Sequence, residues 1–277
     1  MLFVTKADGR KQPFSKRKIV RTCVRMGVSK SIAKQIANEI EARAYDGIPT
    51  KKILNMIFQL VKQHKPHFKY RIDLRTAISL LRPKPDFETF VRFLLKNHGY
   101  DVLPNQILNG KCVDHELDGI LKKDKQTFML EVKHHKNPHV YTGVDVCLIS
   151  YATFLDLNDG YKAGTNTIKL DGVVIVCNTK FSDHAKRYAR CKGIELIGWN
   201  YPTEINLERM VEDRKLYPIT ILKSMDPNSE QKFGDSNIVL LKQLVEISKE
   251  DLWKMTRVPK DKLERFVKEA KEILGVA

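Results

Sequence analysis

Asp118, Glu131 and Lys133 are the residues of this 277-residue chain whose types and spacing suit chemistry on a phosphodiester. Two carboxylates and a lysine on neighbouring strands are the minimal equipment for holding a divalent metal and an attacking water against a phosphate. They sit in two runs, Asp114-His-Glu-Leu-Asp118 and Thr127-Phe-Met-Leu-Glu-Val-Lys-His-His135, separated by the polar stretch Lys122-Lys-Asp-Lys-Gln126. Side chains alternate along a strand, so Asp114, Glu116 and Asp118 share one face, as do Glu131, Lys133 and His135. A hairpin centred near Asp124 and Lys125 places Asp118 opposite Glu131, Glu116 opposite Lys133 and Asp114 opposite His135. Like charges directly opposite on a sheet are destabilising, so Asp118 facing Glu131 requires a cation between them. Hard oxygen donors favour magnesium, manganese or calcium over zinc. The alternative is a solvated hairpin face whose charges serve solubility alone.

These residues need a frame. Upstream, Asp86 reads as a helix N-cap, and Phe87, Phe90, Val91 and Leu94 form an apolar stripe at helical spacing. Glu88 lies in the first turn of that helix, where it either complements the helix dipole or reaches the site. Downstream, a polar loop leads into a buried helix through Val146, Ile149, Tyr151 and Phe154. Val173 to Val176 then forms a short buried strand, Ser182 caps a helix that Gly193 ends, and Ile194 to Trp199 is a returning parallel strand. Asn178 and Thr179, at the strand end, are placed either to donate to a phosphate or to close a turn. His115 and His134 point away from the carboxylates and read as packing residues.

The charge is unevenly spread. Residues 1–82 carry 19 Lys and Arg against 5 Asp and Glu, a balance of +14, whereas residues 83–277 carry 30 against 28, a balance of +2. The first segment is thus an electrostatic module suited to polyanions or nucleotides. It opens with a strand at Leu2–Thr5 and a turn at Asp8-Gly9. Helices follow from about Ser15 to Met26, stopped by Gly27, and from Ser29 to about Tyr45. Another starts at Thr50 as its cap, and a last one carries Tyr70, Leu74, Ala77, Ile78 and Leu81. Pro83 and Pro85 mark a boundary. Beyond about residue 216 the chain reads as helical, with one stripe through Leu240, Leu241, Leu244 and Val245 and another through Leu263, Phe266, Val267, Ala270 and Leu274. Ser248-x-x-Asp251 is a capping box. The five dispersed cysteines show no metal-ligand spacing and suit a reducing compartment. No Walker-type glycine loop is present. With no apolar run of membrane-spanning length and no secretory signal, a cytoplasmic protein without a membrane partner is expected.

Two family resemblances attach to these residues. Asp118…Glu131-x-Lys133, with the preceding helix and the unit from Asp171 to Gly198, resembles the Mrr-like branch of the PD-(D/E)xK nucleases over roughly residues 86 to 200. Val4-Thr-Lys-x-Asp-Gly9, Phe14-Ser-x-x-Lys-Ile19, Tyr45-Asp-Gly-Ile-x-Thr50 and Tyr70…Leu81-Arg82 resemble the ATP-cone, a small nucleotide-sensing domain. Together they imply an α/β protein in three parts. These are a mostly helical ATP-cone (1–82), a restriction-endonuclease-like mixed α/β/α sheet (86–202) and, from the apolar stripes alone, a small helical domain (216–277), which is either a plain packing domain or one that resembles a helix-hairpin-helix around Val258-Pro259 without its glycine pair. The nuclease resemblance implies magnesium or manganese held by Asp118, Glu131 and the carbonyl of Val132. It makes Lys133 the residue that orients water and stabilises transition-state charge, with Glu116, His135 and Glu88 as further catalytic candidates and DNA as the partner. The cone resemblance implies ATP or dATP as effector, with phosphates at Lys6 and Lys18, Thr50 beside them and the Val4 backbone near the base. A homodimer is compatible with both. The competing expectation is a non-catalytic, nucleotide-sensing, nucleic-acid-binding protein that retains the nuclease fold.

Overall fold

In the computed structural model the described residues are 2–26, 28–65 and 71–276. Gly27, read as a helix stop, and Tyr70, read into the closing helix and the cone resemblance, lie outside them. The chain forms two compact units, Met1–Ile72 with Lys271–Ala277, and Asp73–Ala270. The helix Leu74–Leu80, grouped by sequence with the N-terminal segment, belongs to the second.

The first unit contains β1 (Phe3–Thr5), β2 (Lys11–Pro13), α1 (Lys16–Arg25), α2 (Lys30–Arg43), β3 (Ile48–Pro49) and α3 (Thr50–His64). β1 is central, antiparallel to β2 and parallel to β3. Val4, Ile19, Cys23, Ile36, Ile40, Ile48, Ile57 and Val61 close one apolar core around it. Ser29 caps α2, accepting a hydrogen bond from the Ile32 amide. Thr50 does not cap α3; Pro49 holds that position without a side-chain bond. The reason lies in the sheet: Pro49 is still paired with Thr5, so the helix begins only once the strand has ended.

The second unit runs α4 (Leu74–Leu80), an irregular turn at Pro83–Phe87 in which Lys84 is extended (φ −124°, ψ 137°), α5 (Glu88–Asn97), β4 (Asp101–Asn109), β5 (Asp114–Lys123), β6 (Gln126–Lys133), β7 (Tyr141–Thr142) and α6 (Val144–Ala163). Then come β8 (Gly172–Cys177), β9 (Lys180–Phe181), α7 (Asp183–Lys192), β10 (Glu195–Ile197), α8 (Leu207–Arg214), α9 (Pro227–Asp235), α10 (Leu241–Glu246), α11 (Lys249–Thr256) and α12 (Lys260–Leu274), the last of which runs on into the first unit. Its main sheet has the order β10-β8-β6-β5-β4, parallel from β10 to β6 and antiparallel from β6 to β4. Met129, Val173, Ile175 and Cys177 share one core with Val146, Cys147 and Leu157 of α6 and Ala185 and Ala189 of α7. By strand alternation Phe128, Leu130, Val174 and Val176 face the other way and are buried too, so both faces of the sheet are covered.

Asp124 and Lys125 both have positive φ, 49° and 67°, which makes the two-residue turn of a right-twisted hairpin and sets its register. The unit from β8 through α7 to β10 forms as its spacing predicts: Ser182 caps α7 through the Ala185 amide, and Gly193 at φ 70° ends it. Two local expectations fail here. Asp86 is not a cap but a fully buried partner of Arg82, whose guanidinium meets both its oxygens at 2.7 and 2.9 Å, a stronger charge-assisted pair than one amide offers. Ile149 faces solvent, because α6 turns Val146, Cys147, Ser150 and Leu157 inward. The short strands β2 and β3 are additions that residue patterns do not announce.

Candidate functional site

The β5–β6 ladder pairs Lys123 with Gln126 and continues to Gly119 with Leu130, where it ends. Beyond that point β5 stays on β4, and β6 stays on β8 as far as Lys133 and Cys177. The sheet forks, and the candidate residues stand in the fork. Leu117 and Ile120, three residues apart, both join the same core, so the alternation of faces breaks at Asp118-Gly119. Asn105, on the facing stretch of β4, has φ 46°, and its side chain accepts from Arg92 at 3.1 Å.

The largely buried side chain of Asp118 turns into the gap, and its Oδ2 accepts the Val132 amide at 2.7 Å. That bond replaces the missing rung of the ladder and fixes one carboxylate oxygen. Its Oδ1 lies 3.5 Å from the Lys84 ammonium, which also lies 3.2 Å from Oε1 of Glu88 and 3.6 Å from Oε1 of Glu116. Glu88, at the start of α5, further has Arg92 at 4.0 Å. On β6, Glu131 and Lys133 point to the same side and pair at 2.7 Å. The cation demanded by opposed carboxylates is therefore present as two lysines, Lys84 beside Asp118 and Lys133 beside Glu131. Burial raises the Glu131 carboxyl above its ordinary value, against the pull of Lys133. Burial, with the Asp118 charge, likewise raises Glu88, against Lys84. Partial burial opposes protonation of Lys84, but the bond to Glu88 and the charges of Glu88, Asp118 and Glu116 more than reverse it, and its value is raised.

Because the strands part at Gly119 and Leu130, none of the three expected pairings forms: Asp118 meets the Val132 amide through its side chain instead of standing as a rung opposite Glu131. Glu116 stands opposite Ile107 of β4 rather than Lys133, with its carboxylate toward Lys84, and Asp114 stands opposite Asn109 rather than His135. His135 lies past the end of β6. Its amide donates to Asn178 Oδ1 at 2.8 Å, its carbonyl accepts from Asn178 Nδ2 at 2.7 Å, and its ring Nε2 is 3.2 Å from Thr142 Oγ1. Asn178 thus extends the β6–β8 pairing with a side chain, and Thr179 is hydrogen-bonded to Thr142, so both close a turn. His115 pairs with Asp156 at 2.8 Å, and His134 packs on Phe87.

Asp118, Glu131, Glu88 and Glu116 are hard oxygen donors, and three of them gather on the Lys84 ammonium. Among the described residues no three His, Cys, Asp or Glu side chains are placed so that they could hold a metal ion. Lys84 is the participant that sequence reasoning missed; its signal was the four-residue spacing from Lys84, itself between Pro83 and Pro85, to Glu88.

In the first unit, Thr5 is level with Pro49, so Lys6 and Thr50 leave the sheet at the same end of β1. Gln12, the partner of Val4 on β2, accepts from the Lys18 ammonium at 3.1 Å. Val4 is buried, Lys6 and Thr50 are half-buried and Lys18 is exposed.

The ATP cone domain family matches residues 2–76, and a family described as AF1548-like, C-terminal, matches residues 217–274. An uncharacterized protein of Archaeoglobus fulgidus (strain ATCC 49558 / DSM 4304 / JCM 9628 / NBRC 100126 / VC-16) is 36% identical over 182 residues, 66% of this chain and 98% of its own length. A second uncharacterized protein of that strain is 56% identical over 41 residues, 15% of this chain and 87% of its own. The crystal structure of a protein of unknown function, AF1548, superposes with a TM-score of 0.59 at 33% identity, covering 73% of this chain and 99% of that one.

Proposed function

The chain belongs to the AF1548-like family, with an ATP cone at its N-terminus, and we propose that it is a divalent-metal-dependent endonuclease acting on DNA and governed by an adenine nucleotide. The observation that carries this reading is the fork, where Asp118, Glu131, Lys133 and Glu88 stand together at the parting of β5 and β6. Asp118, Glu131 and the Val132 carbonyl would hold the ion, with Glu88 and Glu116 completing the acidic surround. When bound, a divalent ion supplies charge neutralisation at the phosphate and acidification of water. Lys133, freed from Glu131, would orient that water and meet the negative charge that grows on the phosphate. The fixed Val132 amide keeps Asp118 from swinging toward solvent. Lys6 and Thr50, at one end of β1, together with Lys18, would take the triphosphate of ATP or dATP, a compact ammonium being suited to phosphate oxygens. Nucleotide occupancy would then bias cleavage, as a coupling free energy between the two sites.

The test is cleavage of linear, circular, single-stranded and branched DNA by the full chain, with and without magnesium and ATP. Magnesium-dependent cleavage is expected, lost in Asp118→Asn, Glu131→Gln and Lys133→Ala. DNA affinity of Lys133→Ala should stay within a few-fold of wild type, since one lysine is about one phosphate contact.

A second reading, a non-catalytic nucleotide-sensing protein that binds nucleic acid, is favoured by the lysine that fills the carboxylate cluster. Wild-type protein that binds DNA but cuts none of its forms would select it.

A further inference from the structure

We propose that the paired helices α1 and α2 of the first unit form a second binding face, which takes the phosphate backbone of a nucleic acid and is separate from the nucleotide phosphates assigned to Lys6 and Lys18. The inference depends neither on the fork nor on cleavage. Lys16 of α1 pairs with Glu41 of α2 at 2.8 Å, joining the first turn of one helix to the last turn of the other, so the two run antiparallel. Lys34 stands seven residues before Glu41 and Lys30 four before Lys34, so both share the edge of α2 that Glu41 turns toward α1. On α1, Ile19 and Cys23 are buried in the core, and Arg17 and Arg21 form the opposite ridge. Arg17, Arg21, Lys30 and Lys34 are all exposed, and among the described residues none of the four has an ion-pair partner. The carboxylate on this edge, Glu41, is already held by Lys16, as Asp8 is by Arg10 and Glu39 by Arg43.

The arrangement works against the fold. Arg17 with Arg21, and Lys30 with Lys34, are like charges at i, i+4, which destabilise a helix. Lys16, Arg17 and Lys18 occupy the first turn of α1 and Lys30 that of α2, with no acid in either, although the positive pole of the helix dipole lies there. In the second unit α5, α6, α7, α8, α9, α11 and α12 each have an acid in the first turn. An anionic polymer offsets charge placed against both local rules, because it neutralises several cations at once and releases its counterions. Arginine on the ridge suits phosphate, whose oxygens its planar fork meets two at a time. An anionic membrane fits less well. Of the exposed positions on the α1 ridge only Val24 is apolar, whereas helices that lie on membranes present a broad apolar face.

The experiment is fluorescence anisotropy of a labelled DNA duplex titrated with the full chain in EDTA, so that nothing is cut, at several salt concentrations. Wild type is compared with a neutralised variant carrying Arg17→Gln, Arg21→Gln and Lys34→Gln, and with a charge-keeping one carrying Arg17→Lys, Arg21→Lys and Lys34→Arg. A third, with Lys122→Gln, Lys169→Gln and Lys268→Gln, removes as many exposed charges from the second unit. The neutralised variant should bind about tenfold or more weakly at low salt, with a salt slope lower by about 2–3, one phosphate contact for each lost cation. The other two should stay within a few-fold of wild type. The neutralised variant should melt no lower than wild type, because like-charge neighbours have been removed, so that lost binding is not lost structure. Excess ATP at matched ionic strength should leave the DNA bound, which keeps this face apart from the Lys6 and Lys18 cluster. No DNA binding by wild type, unchanged affinity and slope in the neutralised variant, a lower melting temperature there, an equal loss in the second-unit variant, or release by ATP overturns the proposal. Tighter binding of wild type to phosphatidylserine vesicles than to DNA, abolished by the same three substitutions, assigns the face to a membrane and overturns it too.

Discussion

Glu230 on α9 shows how far one side chain departs from its sequence value. Burial, helped by Asp86 and opposed by Arg82, pushes its carboxyl up to about 7 from an ordinary 4.5. The folded protein therefore holds this proton more tightly than the unfolded chain. The associated stability is complete below the ordinary value and is lost as pH rises through about 7. Glu230→Gln should be more stable than wild type at pH 8, by about 1 kcal/mol once solvent screening of a half-exposed group is allowed for, and should lose that advantage near pH 4.5. Urea melts at the two pH values decide it; a pH-independent difference would mean ordinary packing. At this scale the sequence is an uneven guide. Asp118, Glu131 and Lys133 are legible because strand alternation and one turn relate them. Lys84 is not, because its partners on α5 and β5 meet it only after the sheet has formed. Asp86 misleads, since a cap and a buried ion pair look alike until Arg82 is placed.

Among the elements, the β5–β6 hairpin is the most legible, its register following from the Asp124-Lys125 turn, and β8–α7–β10 follows from its caps. The fork is not legible, because the end of a ladder depends on what β4 and β8 take away from each strand. β2 and β3 escape notice for a related reason: three and two residues carry no pattern, and they exist only by pairing with β1. Close approach of elements is equally hidden. A Cβ at Gly160, within α6, would lie 2.7 Å from the Gly110 carbonyl carbon and 2.9 Å from the Asn109 oxygen, backbone atoms where β4 ends and its connection to β5 begins. Ala is favoured over Gly inside a helix by about 1 kcal/mol. The clash should nonetheless make Gly160→Ala destabilising by about 1–3 kcal/mol, as overpacking does. A denaturation midpoint at or above wild type would show that the connection yields easily.

For the molecule as a whole, the near-confinement of the +16 charge to residues 1–82 raises a question of specificity, since a basic module attracts any polyanion. Salt and chemistry separate the two behaviours. Counterion-driven attraction to DNA falls steeply as salt rises, whereas a pocket that contacts base, ribose and phosphates tells ATP from pyrophosphate. ATP or dATP should bind the full chain, and Lys6→Ala and Lys18→Ala should each lose that binding with an unchanged melting temperature. Calorimetry at two salt concentrations, with pyrophosphate as competitor, measures this; equal competition would leave the cone a fold without its ligand.

The bond from the Val132 amide to Asp118 makes the fork self-reporting. An amide proton held by a charged carboxylate resonates far downfield, and anything that draws charge from that oxygen, whether a proton, a cation or a neutral substitution, relaxes the bond and moves the signal back upfield. One backbone resonance in a ¹⁵N-labelled sample therefore follows the electrostatic state of the cluster without turnover, substrate or label at the site. Watched while nucleotide is added, the same resonance registers whether the cone speaks to the fork at all.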